Sequence, residues 1–202
     1  MKVSGIRIVI MCKAPVAGEV KTRLTTKYSK TEAARLHEAM ATTVIERAKR
    51  LFDDVVIAAD DPNHSFFASF GLAVISQGEG SLGARMQTQV LDVFADGVDA
   101  VLLLGTDSPH MSDERLLSAV RFLASNDVVI GPVEDGGYEL IAMKEPQPLF
   151  DDVEWSSSRV LEQTEAHLNR KGLSCRLLEI GFDIDEPDDI ERAAKAGWSC
   201  QL

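Results

Sequence analysis

No apolar run in this 202-residue chain approaches the roughly 20 residues that span a bilayer. The short apolar stretch from Ile6 to Met11 lacks the length and the small-residue cleavage site of a secretory leader, so it is expected to be a buried first strand. Cysteine is scarce. Cys12, Cys175 and Cys200 are far apart, odd in number and form no C-x-x-C pair, a pattern that supports neither a disulfide framework nor a zinc site. Cys12 and Cys175 sit in apolar runs and are expected in the core, and the expected location is cytoplasmic. Positive charge is in deficit: 21 Lys and Arg against 32 Asp and Glu leave a net charge of -11. Such a surface repels polyanions, so nucleic acid is excluded as a partner, and no membrane association is expected. There is no internal repeat, low-complexity tract or long linker.

What is present is ordinary for a globular protein: 45% hydrophobic and 26% charged residues, enough for a substantial core. One domain over residues 1–202 is expected. Short β-branched runs alternate with helical patterns. Strands are predicted at 6–11, 55–59, 72–75, 100–104, 127–130, 138–143 and 175–180, with 100–104 central. Ser29 and Glu32 form a capping-box pattern that opens a helix to about Leu51, with Leu36, Met40, Val44, Ala48 and Leu51 on its apolar face. A helical turn is predicted near 66–70. Further helices are predicted at 81–95, at 113–124 with Ser112 as N-cap, and at 156–171 with Gly172 as C-cap. A last helix starts at Pro187 and ends at Gly197. This alternation predicts a layered α/β sheet, whose ligands bind beyond the carboxyl ends of the strands.

The residues after each strand therefore carry the chemistry. Lys13, Lys21, Arg23, Lys27 and Lys30 cluster between residues 13 and 30, with Glu19 the only acid. Clustered cations in a small-residue loop, with Ala14, Pro15 and Gly18, suit phosphate as well as they suit a solvated loop. The G-x-x-x-x-G-K-[ST] spacing of a Walker A loop is missing. Asp107, at the end of the central strand before Pro109, can hold a hard cation or cap its own turn. Glu134-Asp135-Gly136-Gly137-Tyr138 can approach a ligand closely, but on composition alone fits a tight turn better. Trp155 can be core or can line a pocket. Asp183 and Asp185 alternate along an extended segment, share a face and could complete a metal site with Asp107. No His lies in these motifs: His37 and His167 fall in helices, His64 in a loop, and only His110 neighbours a proposed site residue.

Five segments, in order, resemble a bacterial family of GT-A-type transferases related to the molybdenum-cofactor and phospholactate guanylyltransferases. They are Lys13-Ala14-Pro15 through Lys21-Thr22-Arg23-Leu24, Leu82-Gly83-Ala84-Arg85-Met86, Gly105-Thr106-Asp107-Ser108-Pro109, Asp135-Gly136-Gly137-Tyr138, and Asp183-Ile184-Asp185-Glu186-Pro187-Asp188-Asp189. The first loop departs from the glycine-rich form of better-studied cousins. The resemblance implies a nucleotide-diphospho-sugar transferase fold, a three-layer sandwich on a mostly parallel sheet with one antiparallel strand. It implies nucleotide binding by Lys13, Ala14, Pro15, Gly18, Lys21, Arg23, Gln77, Gly83 and Asp107, with Gln77 and Gly83 near the base. It implies Mg2+ (or Mn2+) on Asp107, Asp185 and, less directly, Asp183, and acceptor contacts from Asp135, Gly136, Gly137, Tyr138 and Trp155.

Lys21, Arg23 and Asp107 are then the catalytic candidates for nucleotidyl transfer from a nucleoside triphosphate to a small phosphorylated acceptor, with pyrophosphate released. The alternatives are glycosyl transfer from a nucleotide sugar, with Asp135 or Glu134 as base, and a non-catalytic nucleotide-binding module. The implied partners are a nucleotide and a small-molecule acceptor; a homodimer stays open.

Overall fold

A computed structural model describes residues 2–200. Its backbone is one seven-stranded sheet. The strands are β1 (Val3–Cys12), β2 (Phe52–Ala59), β3 (Ala73–Ser76), β4 (Val101–Leu104), β5 (Val128–Pro132), β6 (Tyr138–Met143) and β7 (Cys175–Leu177). Their order is β3-β2-β1-β4-β6-β5-β7, which puts β4 in the middle, as its continuous apolar run predicts. Only β6 is antiparallel, to both β4 and β5. The carboxyl ends of the other six strands therefore share one edge with the start of β6.

The helices are α1 (Lys30–Leu51), α2 (Ser65–Ala68), α3 (Leu82–Ala95), α4 (Asp113–Leu123), α5 (Val160–Lys171) and α6 (Pro187–Lys195). Three layers follow from the strand period of two. Ile8, Ile10, Leu102 and Leu104 join a core with Ala41, Val44, Leu116 and Ala119 of α1 and α4. Val9, Val101 and Leu103, on the other face, join Val90 and Val93 of α3 and Leu168 of α5. Each such fully buried aliphatic side chain contributes about 1.5–3 kcal/mol.

The predicted caps are present. Ser29 and Glu32 exchange side-chain and backbone hydrogen bonds at α1, Ser112 accepts from Arg115 N at α4, and Gly172 closes α5 in the left-handed conformation. Several boundaries differ: β2 begins at Phe52 instead of Val55, β5 runs on to Pro132 instead of Ile130, and three further shifts have a local cause. β1 begins three residues early, passing through an irregularity between Val3 and Arg7 where Gly5 takes φ 80°. α5 begins at Val160 instead of Ser156, because Ser156 has φ 66° and the Ser157 hydroxyl donates to Glu154 O, forming a turn. β7 stops at Leu177 instead of Ile180, because the next segment is held by a side chain: Arg115 Nη1 donates to Glu179 O. Cys12 is in the core as expected, whereas Cys175 is only partly buried.

Candidate functional site

At the shared strand edge a cavity of about 520 Å³ opens, within the roughly 300–1,000 Å³ usual for small-molecule sites. Its floor is the end of β1 and β4. Backbone bonds stitch the post-β7 segment onto the end of β4: Ile184 N donates to Asp107 O at 2.9 Å, and Ser108 Oγ donates to Phe182 O at 2.9 Å. These bonds bring residues 107 and 185 together across nearly 80 positions of sequence.

The loop after β1 folds over both. Ala14 N donates to Asp60 Oδ1, and His37 Nε2 lies 2.9 Å from Lys13 O. Because a carbonyl only accepts, that nitrogen carries the proton. The loop ends in a short 3-10 helix (Thr22–Thr26) whose N-cap, Lys21, takes φ 46° and ψ 44°. A non-glycine residue rarely adopts this left-handed conformation without compensation. The compensation is in the side chain. Lys21 Nζ is 2.6 Å from Ile184 O, 3.0 Å from Asp185 Oδ1 and 2.8 Å from Asp107 Oδ1, so all three ammonium protons have acceptors. Arg23 Nη1 holds the second oxygen of Asp185 at 2.8 Å.

Burial alone would lower the Lys21 pKa, but Asp107 and Asp185 outweigh it and raise it. Burial would likewise raise the Asp107 carboxyl, but Lys21 outweighs it and holds Asp107 below the usual carboxylate range. The result is a fixed charge cluster of two carboxylates around one ammonium.

The cavity brings together Lys13, Lys21, Arg23, Gln77, Asp107, Tyr138, Trp155 and Asp185 from the sequence-predicted set. The others do not line it, and several candidate roles need correction. Gln77 is 4% exposed, and its amide donates to Cys12 O and Ala58 O while its oxygen accepts from Arg85 Nη1. Its donors are spent on the backbone, so it is a support for Arg85 and has no amide proton left for a base. Gly83 is closed off by Phe150 O and the Trp155 indole, which occupy the space a Cβ would need; it is a helix-packing glycine. Gly136, at φ 88°, lies against the Ser158 carbonyl, and Asp135 Oδ1 accepts from Gly137 N at 2.8 Å. Asp135, Gly136 and Gly137 thus make the tight turn that composition favoured, packed against the start of α5. Ala14, Pro15 and Gly18 shape the first loop from outside the cavity. Asp183 stays out of the Lys21 cluster; burial, with Asp135 and Asp185 nearby, pushes its carboxyl up to about 6.

Tyr138 and Trp155 line the cavity, edge to face with ring centroids 6.2 Å apart. His37 and Arg85 also line the cavity. In the sequence His37 reads only as a helical residue outside the motifs, although it lies on the same stripe as Ala33, Met40, Ala41 and Val44, all buried.

As a test of the implied divalent cation, Asp107 and Asp185 supply two converging carboxylates, the number Mg2+ takes from protein when phosphate and water complete its shell. Among the described residues no group of three or more His, Cys, Asp or Glu could hold a metal. The pair fits a phosphate-bound cation and does not fit an all-protein cage.

A model of a protein family described as uncharacterized and conserved in bacteria, DUF2064, matches residues 41–157, more than half of the chain. The chain belongs to this family. A solved structure from Desulfovibrio desulfuricans G20, provisionally assigned as a nucleotide-diphospho-sugar transferase, is similar to this family member at 29% identity. The match covers 91% of this chain and 84% of that one with a TM-score of 0.84, which establishes the nucleotide-diphospho-sugar transferase fold. CMP:2-keto-3-deoxy-manno-octonic acid synthetase complexed with CTP matches at 15% identity, TM-score 0.61, over 95% of this chain and 98% of that one. 4-Diphosphocytidyl-2C-methyl-D-erythritol synthase matches at 11% identity, TM-score 0.61, over 95% and 97%. At those identities the likeness is one of fold. Among the described residues, no helix is long and apolar enough to cross a membrane.

Proposed function

We propose that this family member is a transferase that uses a nucleoside triphosphate, passing the nucleotidyl group to a small phosphorylated acceptor. The observation that carries this reading is the Asp107–Lys21–Asp185 cluster at the floor of the cavity. The acceptor oxygen attacks the α-phosphorus, the bond to the β-phosphate oxygen breaks, and pyrophosphate leaves with the electron pair. An anionic acceptor needs no strong base, in keeping with a cavity whose one histidine, His37, is already donating to Lys13 O. Bound Mg2+ or Mn2+, held by Asp107 and Asp185, would offset negative charge on the phosphate oxygens. Lys21 competes for those carboxylates and, once released from them, would supply an ammonium to the leaving phosphates. Tyr138 and Trp155 offer the acceptor an aromatic wall.

The relation to guanylyltransferases rests on motif resemblance, whereas the two synthetases of similar fold are named for cytidylyl products. The choice of base is therefore left to experiment. Glycosyl transfer is the weaker reading, because its candidate bases are occupied. Glu134 is bound by Arg192 through both oxygens at 2.5 and 2.6 Å, and Asp135 caps its own turn away from the cavity.

A thermal-shift panel of nucleoside triphosphates and sugar nucleotides, with and without Mg2+, tests the donor class, since a ligand that binds the native state raises the midpoint by mass action. Stabilisation by a triphosphate, followed by pyrophosphate release with an anionic acceptor, supports the reading. Stabilisation by sugar nucleotides alone, with release of a nucleoside diphosphate, replaces it with glycosyl transfer.

A further inference from the structure

The expected phosphate cations, Lys21 and Arg23, are both committed to carboxylates in this structure. Of the remaining cavity cations, Lys13 is exposed and Arg85 is half-buried, and neither has a carboxylate within salt-bridge distance among the described residues. Arg85 is the better built. Gln77 Oε1 accepts from its Nη1 at 2.6 Å, and the Gln77 amide is pinned in turn by Cys12 O at 3.1 Å and Ala58 O at 2.9 Å. A neutral amide orients the guanidinium without cancelling its charge. Arg85 Nε is buried with no partner, so the charge is partly desolvated and still uncompensated. A partly buried, unpaired charge is costly to keep unless something pairs with it. The same hydrogen-bond chain runs through Cys12 O, next to Lys13, and so puts both uncommitted cations at the end of β1.

We infer that Arg85, with Lys13 beside the same strand end, forms an oxyanion-binding subsite of the cavity, distinct from the Asp107–Lys21–Asp185 cluster. The guanidinium's terminal N–H groups would donate to a phosphate or carboxylate, the planar fork that oxyanions match best. Gln77 acts as a positioning residue. The oxyanion would come either from the polyphosphate of the donor nucleotide or from the acceptor's own anionic group. The assignment leans on the transferase reading for that source and not for the site.

The test is calorimetric titration of the full chain with inorganic pyrophosphate, a metal-free nucleoside triphosphate and a sugar 1-phosphate, in EDTA. Wild type is expected to bind at least one of them, and Arg85→Gln to weaken that binding by about tenfold or more, the scale of a charge-assisted hydrogen bond. Arg85→Lys should weaken it by about threefold, because it keeps the charge and loses the fork. Arg159→Gln, which alters an exposed residue outside the cavity, should leave it unchanged. Loss confined to the triphosphate and pyrophosphate assigns the donor; loss confined to the sugar phosphate assigns the acceptor. If Arg85→Gln does not unfold cooperatively, Arg85→Lys carries the test. Failure of wild type to bind any of the three, or unchanged affinity in the Arg85 variant that folds, overturns the subsite. No turnover is involved, so the subsite can stand even where pyrophosphate release is never seen, and the reverse.

Discussion

Lys21 Nζ sits 2.8 Å from Asp107 Oδ1, with the lysine side chain 6% exposed and the aspartate 47% exposed. A buried ammonium and a half-open carboxylate are unequal partners: the lysine depends on the pair for its charge, while the aspartate can still face a ligand. Removing the aspartate charge leaves Lys21 with Asp185 and Ile184 O. Asp107→Asn is therefore expected to cost about 1–2 kcal/mol, below the 3–5 typical of a fully buried pair because solvent screens one side. The shift in the urea midpoint at neutral pH measures it. A variant as stable as wild type would mean that the pair does not hold the cluster.

The same geometry sets up a competition. A divalent cation at Asp107 and Asp185 must take the oxygens that Lys21 now holds. Lys21→Met removes the competitor and leaves two like charges facing each other, which a cation relieves. Mn2+ binding, followed by electron paramagnetic resonance of the free ion, should tighten by about tenfold in Lys21→Met, roughly 1.4 kcal/mol. Binding that is weaker than wild type would place the cation elsewhere.

Local rules made most of the fold legible. Ser29 and Glu32 announce α1, Gly172 marks the end of α5, and the unbroken apolar run at residues 100–104 identifies the central strand. These features depend on neighbours in sequence. What escaped depends on neighbours in space. The meeting of residues 107 and 185 is expected from the sequence, but nothing near Lys21 shows that its ammonium will stand between them, since the bonds that set this geometry form between the ends of distant strands. The family resemblance implies a place near the base for Gln77, but its surroundings consume its amide protons. The serines at 156–158 fit a helix start by composition, and a left-handed Ser156 makes them a turn instead.

That turn supports a steric prediction. Gly136 has φ 88°, and an added Cβ would run into the Ser158 carbonyl, which belongs to backbone and cannot rotate away. Leu161 N also donates to Gly136 O, so the contact anchors the start of α5. Gly136→Ala is expected to lose about 2 kcal/mol or more, from the backbone conformation and the overlap together. Thermal unfolding measures it, with Gly97→Ala as comparison: φ is 78° there but nothing lies within 4 Å, so only the backbone cost applies. Equal losses at the two positions would show that the Ser158 contact is not tight.

His110 gives the pH dependence its sign. Its ring stacks on Phe182 with centroids 3.8 Å apart, and its Nδ1 is buried without a partner. Burial comes first in lowering its pKa from 6.5 to about 4, followed by Arg192, Arg47 and Arg115; Asp189 opposes them. The folded state thus resists protonation that the unfolded chain accepts. The histidine's contribution is fully present above the unfolded value of about 6.5, falls as the pH drops through the interval, and is lost below about 4. His110→Gln removes this titration. Between about pH 8 and about pH 4.5, wild type should lose about 1–2 kcal/mol more than the variant, after allowance for screening at a partly exposed ring. Urea denaturation of both proteins at the two pH values provides the comparison, and it cancels the other titrating groups. A wild-type loss equal to the variant's would mean that His110 protonates as easily in the folded protein as in the unfolded chain, and that the stack on Phe182 leaves it open to water.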